Sequence, residues 1–267
     1  DRLSRGLGDV YKRQDHGNIA VIKLNRPEKR NALDPETVMM FNEFSEKAKD
    51  PKFKAVIVTG DESAFCGGAD ITAAASEDGM GWESVEQALN EGYHVGLNNM
   101  IYMDKVVIAA VEGACAGIGC AYYLSSDITV MAKSSFFQIG FSKIALIPDG
   151  GSNWLLTKVV GYQQAFRMAA EAKRVSAEEC QSLGMCSEVC EDGSALETAM
   201  ELARHYAELA PRAIYKTKHL MRDSFNKSYE QNLKDEAKLQ EDMVGRKDNI
   251  EGVMAFVEKR KPKFTGE

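Results

Sequence analysis

Residues 106–111, Val-Val-Ile-Ala-Ala-Val, form an apolar run with no polar break. Side chains alternate faces along a strand, so such a run needs cover on both sides, as a parallel strand between helical layers has. The stretches 18–24, 53–59 and 128–131 are also rich in β-branched residues and are predicted strands. Helical patterns lie between them. Asp34-Pro35 is a helix start, with Asp34 as cap and Pro35 in the first helical position. That helix is predicted to reach about Ala48, with Val38, Phe41 and Phe44 or Ser45 facing inward. Ile71 begins another helical stretch. Residues 76–83 are Gly- and acid-rich and read as a loop, and 85–103 and 120–124 read as helical. Beyond Trp154 the pattern is almost wholly helical. Strands alternating with helices, followed by a helical tail, predict an α/β core with a C-terminal helical subdomain.

The net charge of −7 argues against a nucleic-acid or anionic-membrane surface. No apolar run approaches the ~20 residues needed to span a bilayer. The six cysteines (Cys66, Cys115, Cys120, Cys180, Cys186, Cys190) contain no CxxC pair, and only four histidines are present. The expectation is free thiols in a reducing cytoplasm, with no zinc site. Residues 1–14 are basic and lack the apolar stretch of a secretory signal. Within them Asp9-Val10-Tyr11-Lys12-Arg13-Gln14 resembles a translated sequencing adapter, so 1–14 read as a non-native segment standing in place of a first strand. An intact genomic reading frame at the source locus would overturn that reading.

Two Gly-rich turns follow predicted strands. In Phe65-Cys66-Gly67-Gly68-Ala69-Asp70-Ile71, the glycine pair can turn the Ala69 N–H toward a ligand. In Gly113-Ala114-Cys115-Ala116-Gly117-Ile118-Gly119-Cys120, a helix starts at the glycines. The Ile118 N–H then lies at the positive end of its dipole. Two converging N–H groups can stabilise a developing oxyanion. Neither turn carries a general base. The first carboxylate beyond them in a Gly-flanked turn is Asp149, in Ile147-Pro148-Asp149-Gly150-Gly151.

These motifs, together with Asn25-Arg26-Pro27-Glu28-Lys29-Arg30-Asn31-Ala32-Leu33, Ser126-Asp127 and the tail Phe256-Val257-Glu258-Lys259-Arg260-Lys261-Pro262-Lys263-Phe264, resemble the crotonase (enoyl-CoA hydratase/isomerase) superfamily over about residues 15–264. The resemblance implies a crotonase-like ββα spiral core over 15–200. It also implies a helical trimerisation region over 201–267 and a homotrimer or homohexamer. The substrate would be an acyl-CoA thioester, with no further cofactor and no metal. Its carbonyl oxygen would sit between the N–H groups of Ala69 and Ile118. Gly68, Asp70, Ile71 and Gly117 would border it, and Lys29, Arg30 and Ala32, with Lys259, Arg260 and Lys261, would meet the CoA moiety.

The two glutamates of the family's hydratases fall at Ala121 and Phe141, neither of which can transfer a proton. Asp149 falls where double-bond isomerases of the family carry their single acid/base carboxylate. An apolar pocket that includes Phe141 would raise its pKa. His94 stands near the position of a water-activating histidine in the family's aspartate-nucleophile dehalogenases. With Met80, Trp82 and Tyr93 it belongs to the stretch that would line the acyl pocket. The leading expectation is an enoyl-CoA isomerase. Hydration, an aspartate nucleophile, or a non-catalytic acyl-CoA binder are the alternatives.

Overall fold

The computed structural model describes residues 11–15, 17–74 and 82–267. Its strands are β1 (Tyr11–Asp15), β2 (Ile19–Leu24), β3 (Ala55–Thr59), β4 (Ala64–Cys66), β5 (Val106–Val111), β6 (Ala114–Ala116), β7 (Ile128–Ala132), β8 (Phe136–Gln138), β9 (Val175–Ser176) and β10 (Glu188–Cys190). They make a six-stranded sheet, β1-β2-β3-β5-β7-β10, and a four-stranded sheet, β4-β6-β8-β9. Each long strand β3, β5 and β7 is followed by a short one, β4, β6 and β8, in the second sheet. A helical segment then leads back. This ββα unit recurs along the chain and winds the two sheets into a spiral.

The principal helices are α1 (Pro35–Lys47), α2 (Ile71–Ala74), α3 (His94–Tyr102), α4 (Gly119–Ser125), α5 (Ser152–Val160), α6 (Tyr162–Glu171), α7 (Ala177–Ser182), α8 (Ala195–Ala207), α9 (Pro211–Ser224), α10 (Tyr229–Met243) and α11 (Lys247–Glu258). The cap of α1 is as predicted: Asp34 Oδ1 accepts from the Thr37 N–H at 2.9 Å, with Pro35 next in the chain. Val38, Phe41 and Ser45 are buried. The helical stretch 85–102 is continuous but carries a π-helical section, Ala88–Tyr93, before α3.

β5 is covered on both sides. Val107, Ala109 and Val111 face the main core with Phe41, Phe65, Leu97 and Tyr122. Val106, Ile108 and Ala110 face α8, which offers Ala195, Ala199 and Ala203. Alanines at four-residue spacing lie along one helical face and let α8 approach the sheet closely. α8 runs across the boundary expected at residue 200.

One expectation is corrected. The region beyond Trp154 is not wholly helical, because β9 and β10 join the sheets: Glu188, Val189 and Cys190 pair in parallel with Val130, Met131 and Ala132. Strands of two or three residues are too short to show a period of their own, and tertiary pairing places them. Residues 11–14, read above as a non-native segment in place of a first strand, lie in the first strand. As part of β1 they pair antiparallel with β2, from Tyr11 opposite Leu24 to Asp15 opposite Ala20. Residues 1–10, and within the expected acyl-pocket stretch residues 75–81 with Met80, lie outside the described residues.

The last three helices sit differently. α9 and α10 contain no fully buried residue. Exposed apolar side chains, among them Met221, Tyr229, Ile250, Val253 and Phe256, line this region. α9 is tied down by a buried cation. Lys218 Nζ donates to the carbonyls of Met100 (2.9 Å) and Lys105 (3.0 Å) and pairs with Asp127 at 2.8 Å. Arg222 reaches the other Asp127 oxygen at 2.8 Å. Replacing Lys218 by Met leaves these buried oxygens short of a donor, and breaking a buried pair from one side costs about 3 kcal/mol. We expect Lys218→Met to lower the urea midpoint accordingly, and an unchanged midpoint would show the tie to be dispensable.

Candidate active site

The two Gly-rich turns leave the same end of neighbouring parallel strands. β4 and β6 pair through Ala64 with Ala114 and Cys66 with Cys115, so the chain beyond each strand emerges side by side. A Cβ built on Gly117 would lie 3.3 Å from Gly68 Cα, and Gly117 has φ +54°. The approach is therefore backbone to backbone, and a side chain at either position would push the turns apart.

Several neighbouring backbone N–H groups are committed. Gly67 N–H donates to Arg30 O, Asp70 N–H to Leu33 O, Gly117 N–H to Gln138 O and Cys120 N–H to Gly117 O. The Ala69 and Ile118 N–H groups make no such bond among the described residues. Leu33 and Ala69 form an isolated parallel bridge, which docks the 25–33 loop on the first turn. Ile118 is the cap of α4, buried to 2% exposure, while Ala69 is exposed.

Asp149 lies on the 147–151 turn, which packs on the start of α4. A Cβ on Gly150 would stand 2.7 Å from Ala121 Cβ, 3.1 Å from Leu97 Cδ1 and 3.2 Å from Ile118 Cγ1, and φ there is +60°. Gly150 is required by both space and backbone. The Asp149 carbonyl accepts from Ser152 N–H (3.0 Å) and Ser152 Oγ (2.6 Å), which fixes the turn at the head of α5. Asp149 Oδ1 is buried and has no hydrogen-bond partner among the described residues. Burial pushes the carboxyl up to about 6, and its own backbone N–H offsets only part of that rise. Phe141, 7% exposed, belongs to the same apolar core as Ile118 and Ala121. A carboxylate that few groups solvate is a stronger base than one in water.

Two phenols share this environment. Tyr93 and Tyr122 are both shifted upward, first by burial and then by neighbours that include the Asp149 charge. Tyr93 Oη donates to the Leu33 carbonyl at 3.4 Å. Tyr122, beside Ala121, stacks edge-on against Phe41 with ring centroids 4.7 Å apart. Its hydroxyl is buried without a partner among the described residues. Sequence reading passed over Tyr122 because an aromatic in an apolar helix reads as core.

The remaining candidates divide. Asp70 has its carboxylate committed to Arg26 (3.2 Å) and to the N–H and hydroxyl of Thr72. Arg26 also pairs with Asp34 at 3.0 Å and donates to the Ala32 carbonyl. Asp70 and Ala32 therefore hold the 25–33 loop against the first turn, a role for Arg26 that the sequence did not reveal. Lys29 and Arg30 are exposed on that loop, Lys29 Nζ lying 3.4 Å from Thr72 Oγ1, and Ile71 is exposed at the start of α2.

His94 faces a cavity of about 400 Å³ bordered by Gly150, Gly151, Asn98, Trp154 and Arg222. Its Nδ1 lies 3.2 Å from Asn90 Oδ1. At the far end of the chain, Arg260 is paired with Glu251 and Glu258 and Lys261 with Glu208. Lys259 is exposed at the end of α11, and no contact links it to the site among the described residues. All six cysteines are free thiols. Among the described residues no group of His, Cys, Asp and Glu is arranged to hold a metal ion, and no helix is long and apolar enough to cross a membrane.

Known proteins are similar to this chain. A family profile described as "Enoyl-CoA hydratase/isomerase" matches residues 14–267. The chain is 33% identical to an Escherichia coli protein named 1,2-epoxyphenylacetyl-CoA isomerase, over 93% of this chain and 95% of that one. It is 34% identical to a probable enoyl-CoA hydratase of Rhodobacter capsulatus, with the same coverage. Among solved structures, an enoyl-CoA hydratase from Bacillus anthracis superposes with a TM-score of 0.90 at 27% identity, covering 97% of this chain and 100% of the other. The fold is that of the crotonases, and the chain belongs to the enoyl-CoA hydratase/isomerase family.

Proposed function

We propose that this protein is an enoyl-CoA isomerase that shifts a double bond with Asp149 as its single acid/base group. The observation that carries the reading is the Asp149 carboxylate, raised to about 6, with a buried oxygen that has no partner among the described residues, on a turn packed against Ile118 and Ala121. In a 3-enoyl-CoA, Asp149 takes the proton from C2. The electron pair moves into the thioester carbonyl, giving a dienolate whose oxygen receives the Ala69 and Ile118 N–H groups. The protonated Asp149 then delivers the proton to C4 and the double bond comes to rest between C2 and C3. One base suffices because the carboxyl that takes a proton from C2 is the group that gives one to C4, and its O–H can exchange with solvent in between. A carboxyl near 6 is ionised enough at neutral pH to start the cycle and acidic enough to finish it. The chain's CoA contacts would come from the 25–33 loop, and the apolar face of α9–α11 would pack in a homotrimer or hexamer of a cytoplasmic enzyme.

The similarity to a protein named as an isomerase of 1,2-epoxyphenylacetyl-CoA extends the reading to ring-bearing acyl groups. Relatives named as hydratases make water addition the second reading. Turnover of a 3-enoyl-CoA in heavy-isotope water separates the two. Isomerisation places deuterium at C2 or C4 with no oxygen gained, whereas a 3-hydroxyacyl product carrying oxygen-18 would replace the proposal by hydration.

A further inference from the structure

The cavity that His94 faces shares a wall with a second one. The first, about 400 Å³, is bordered by Gly150 and Gly151, next to Asp149, and by Leu155 and Arg222. The second, about 540 Å³, is bordered by the same Leu155 and Arg222 and by Val159, Ile214 and Met221 on α5 and α9. Both wall residues are held in place. Arg222 donates to the Ser125 carbonyl (2.9 Å) and the Ser126 carbonyl (3.4 Å) and pairs with Asp127 at 2.8 Å. Leu155 is buried, and its N–H donates to the Gly151 carbonyl at 2.9 Å. It therefore stands one helical turn, about 5.4 Å, beyond the turn that carries Asp149. Beside them Trp154, of the first cavity, meets Phe225, of the second, edge to face with ring centroids 5.5 Å apart. An acyl chain with C2 to C4 at Asp149 has room for a few more carbons before it meets this wall. To pass, it would have to strip Arg222 of its acceptors or displace a leucine from a close-packed interior.

Resting on the isomerase reading, which puts C2 to C4 at Asp149, we propose that Leu155 and Arg222 are specificity residues that hold this site to short and medium acyl chains. The second cavity is the space that their wall denies to longer ones. Arg222 also anchors α9 through Asp127, so Leu155 is the half of the wall that can be trimmed without breaking an ion pair.

The test uses saturated straight-chain thioesters, butanoyl-CoA to dodecanoyl-CoA, which cannot isomerise, with dissociation constants measured by calorimetry. For the wild-type protein, affinity should rise by up to about fourfold with each buried methylene as far as octanoyl-CoA and then stay level. In Leu155→Ala the rise should continue, with dodecanoyl-CoA bound roughly tenfold tighter than octanoyl-CoA or better. Adding Val159→Phe, which puts a larger side chain into the second cavity, should abolish that gain and leave octanoyl-CoA binding in place. If Leu155→Ala melts too low to titrate, Leu155→Val should show the same gain at smaller size. A wild-type affinity that keeps rising to dodecanoyl-CoA overturns the proposal, and so does a trimmed variant whose affinity still levels off at octanoyl-CoA. Because none of these thioesters turns over, those outcomes are independent of whether Asp149 isomerises anything. Failure to isomerise a 3-enoyl-CoA with the length profile as expected would count against the isomerase reading alone.

Discussion

Asp149→Asn should lower the turnover of a 3-enoyl-CoA by about 10³-fold or more while making the protein more stable at neutral pH. The rate loss follows from removing the one group that both takes and returns the proton, and a positioned acid/base group contributes about 10²–10⁴. The stability gain follows from linkage. The folded carboxyl sits near 6 against an ordinary value of 3.8, so the folded state binds its proton more tightly than the unfolded chain does. Ionisation therefore opposes folding. The penalty is absent below pH 3.8, grows as pH rises, and is complete above about 6. Partial solvent screening leaves it at about 1–2 kcal/mol at pH 7.

Asparagine has no charge to desolvate. Its advantage in denaturant midpoint should appear at pH 7 and shrink toward pH 4. In the wild-type enzyme, kcat/KM should fall about tenfold per pH unit below 6, because the base must be ionised. Retained isomerase turnover in Asp149→Asn would eliminate the mechanism. A stability difference that does not depend on pH would show that the carboxyl is not held in the neutral form.

Gly119→Ala should cost about 10²-fold in kcat with CoA binding preserved. A methyl group there would stand 2.8 Å from both Cys66 Cβ and the Cys66 carbonyl and 2.9 Å from its sulfur. These atoms lie at the end of β4, immediately before the first Gly-rich turn, so they cannot move without carrying Ala69 with them. Relief has to come from α4 sliding away from β4, which separates the Ile118 N–H from the Ala69 N–H. Loss of one oxyanion donor costs about 10²–10³ in rate, and a displacement of about 1 Å in a reacting geometry is worth a similar factor. The CoA contacts expected from Lys29 and Arg30 lie on another loop, so the loss should fall on kcat rather than on CoA affinity. A variant with wild-type kcat would mean that the two N–H groups do not act together.

Much of this architecture could be read from the residues. The unbroken apolar run of β5 announced cover on both faces, and the Asp34-Pro35 pair marked the start of α1 to the residue. The glycines of the two turns were legible as turns. What brought them side by side was the pairing of β4 with β6, strands of three residues each. So short a strand carries no periodicity, and its place is set by contacts far along the chain. The same blindness hid β9 and β10 in a region that read as helical. Asp149 was visible from its glycine neighbours, and an apolar pocket that raises its pKa was expected, but the burial that does so is a tertiary property.

The contact between Gly150 and Ala121 limits what residue 121 can become. A Cβ on Gly150 would stand 2.7 Å from Ala121 Cβ, so the 149–151 backbone lies against that methyl group. A longer side chain at 121 would have to displace the turn that carries Asp149, which ties the size of one helix residue to the position of the carboxylate.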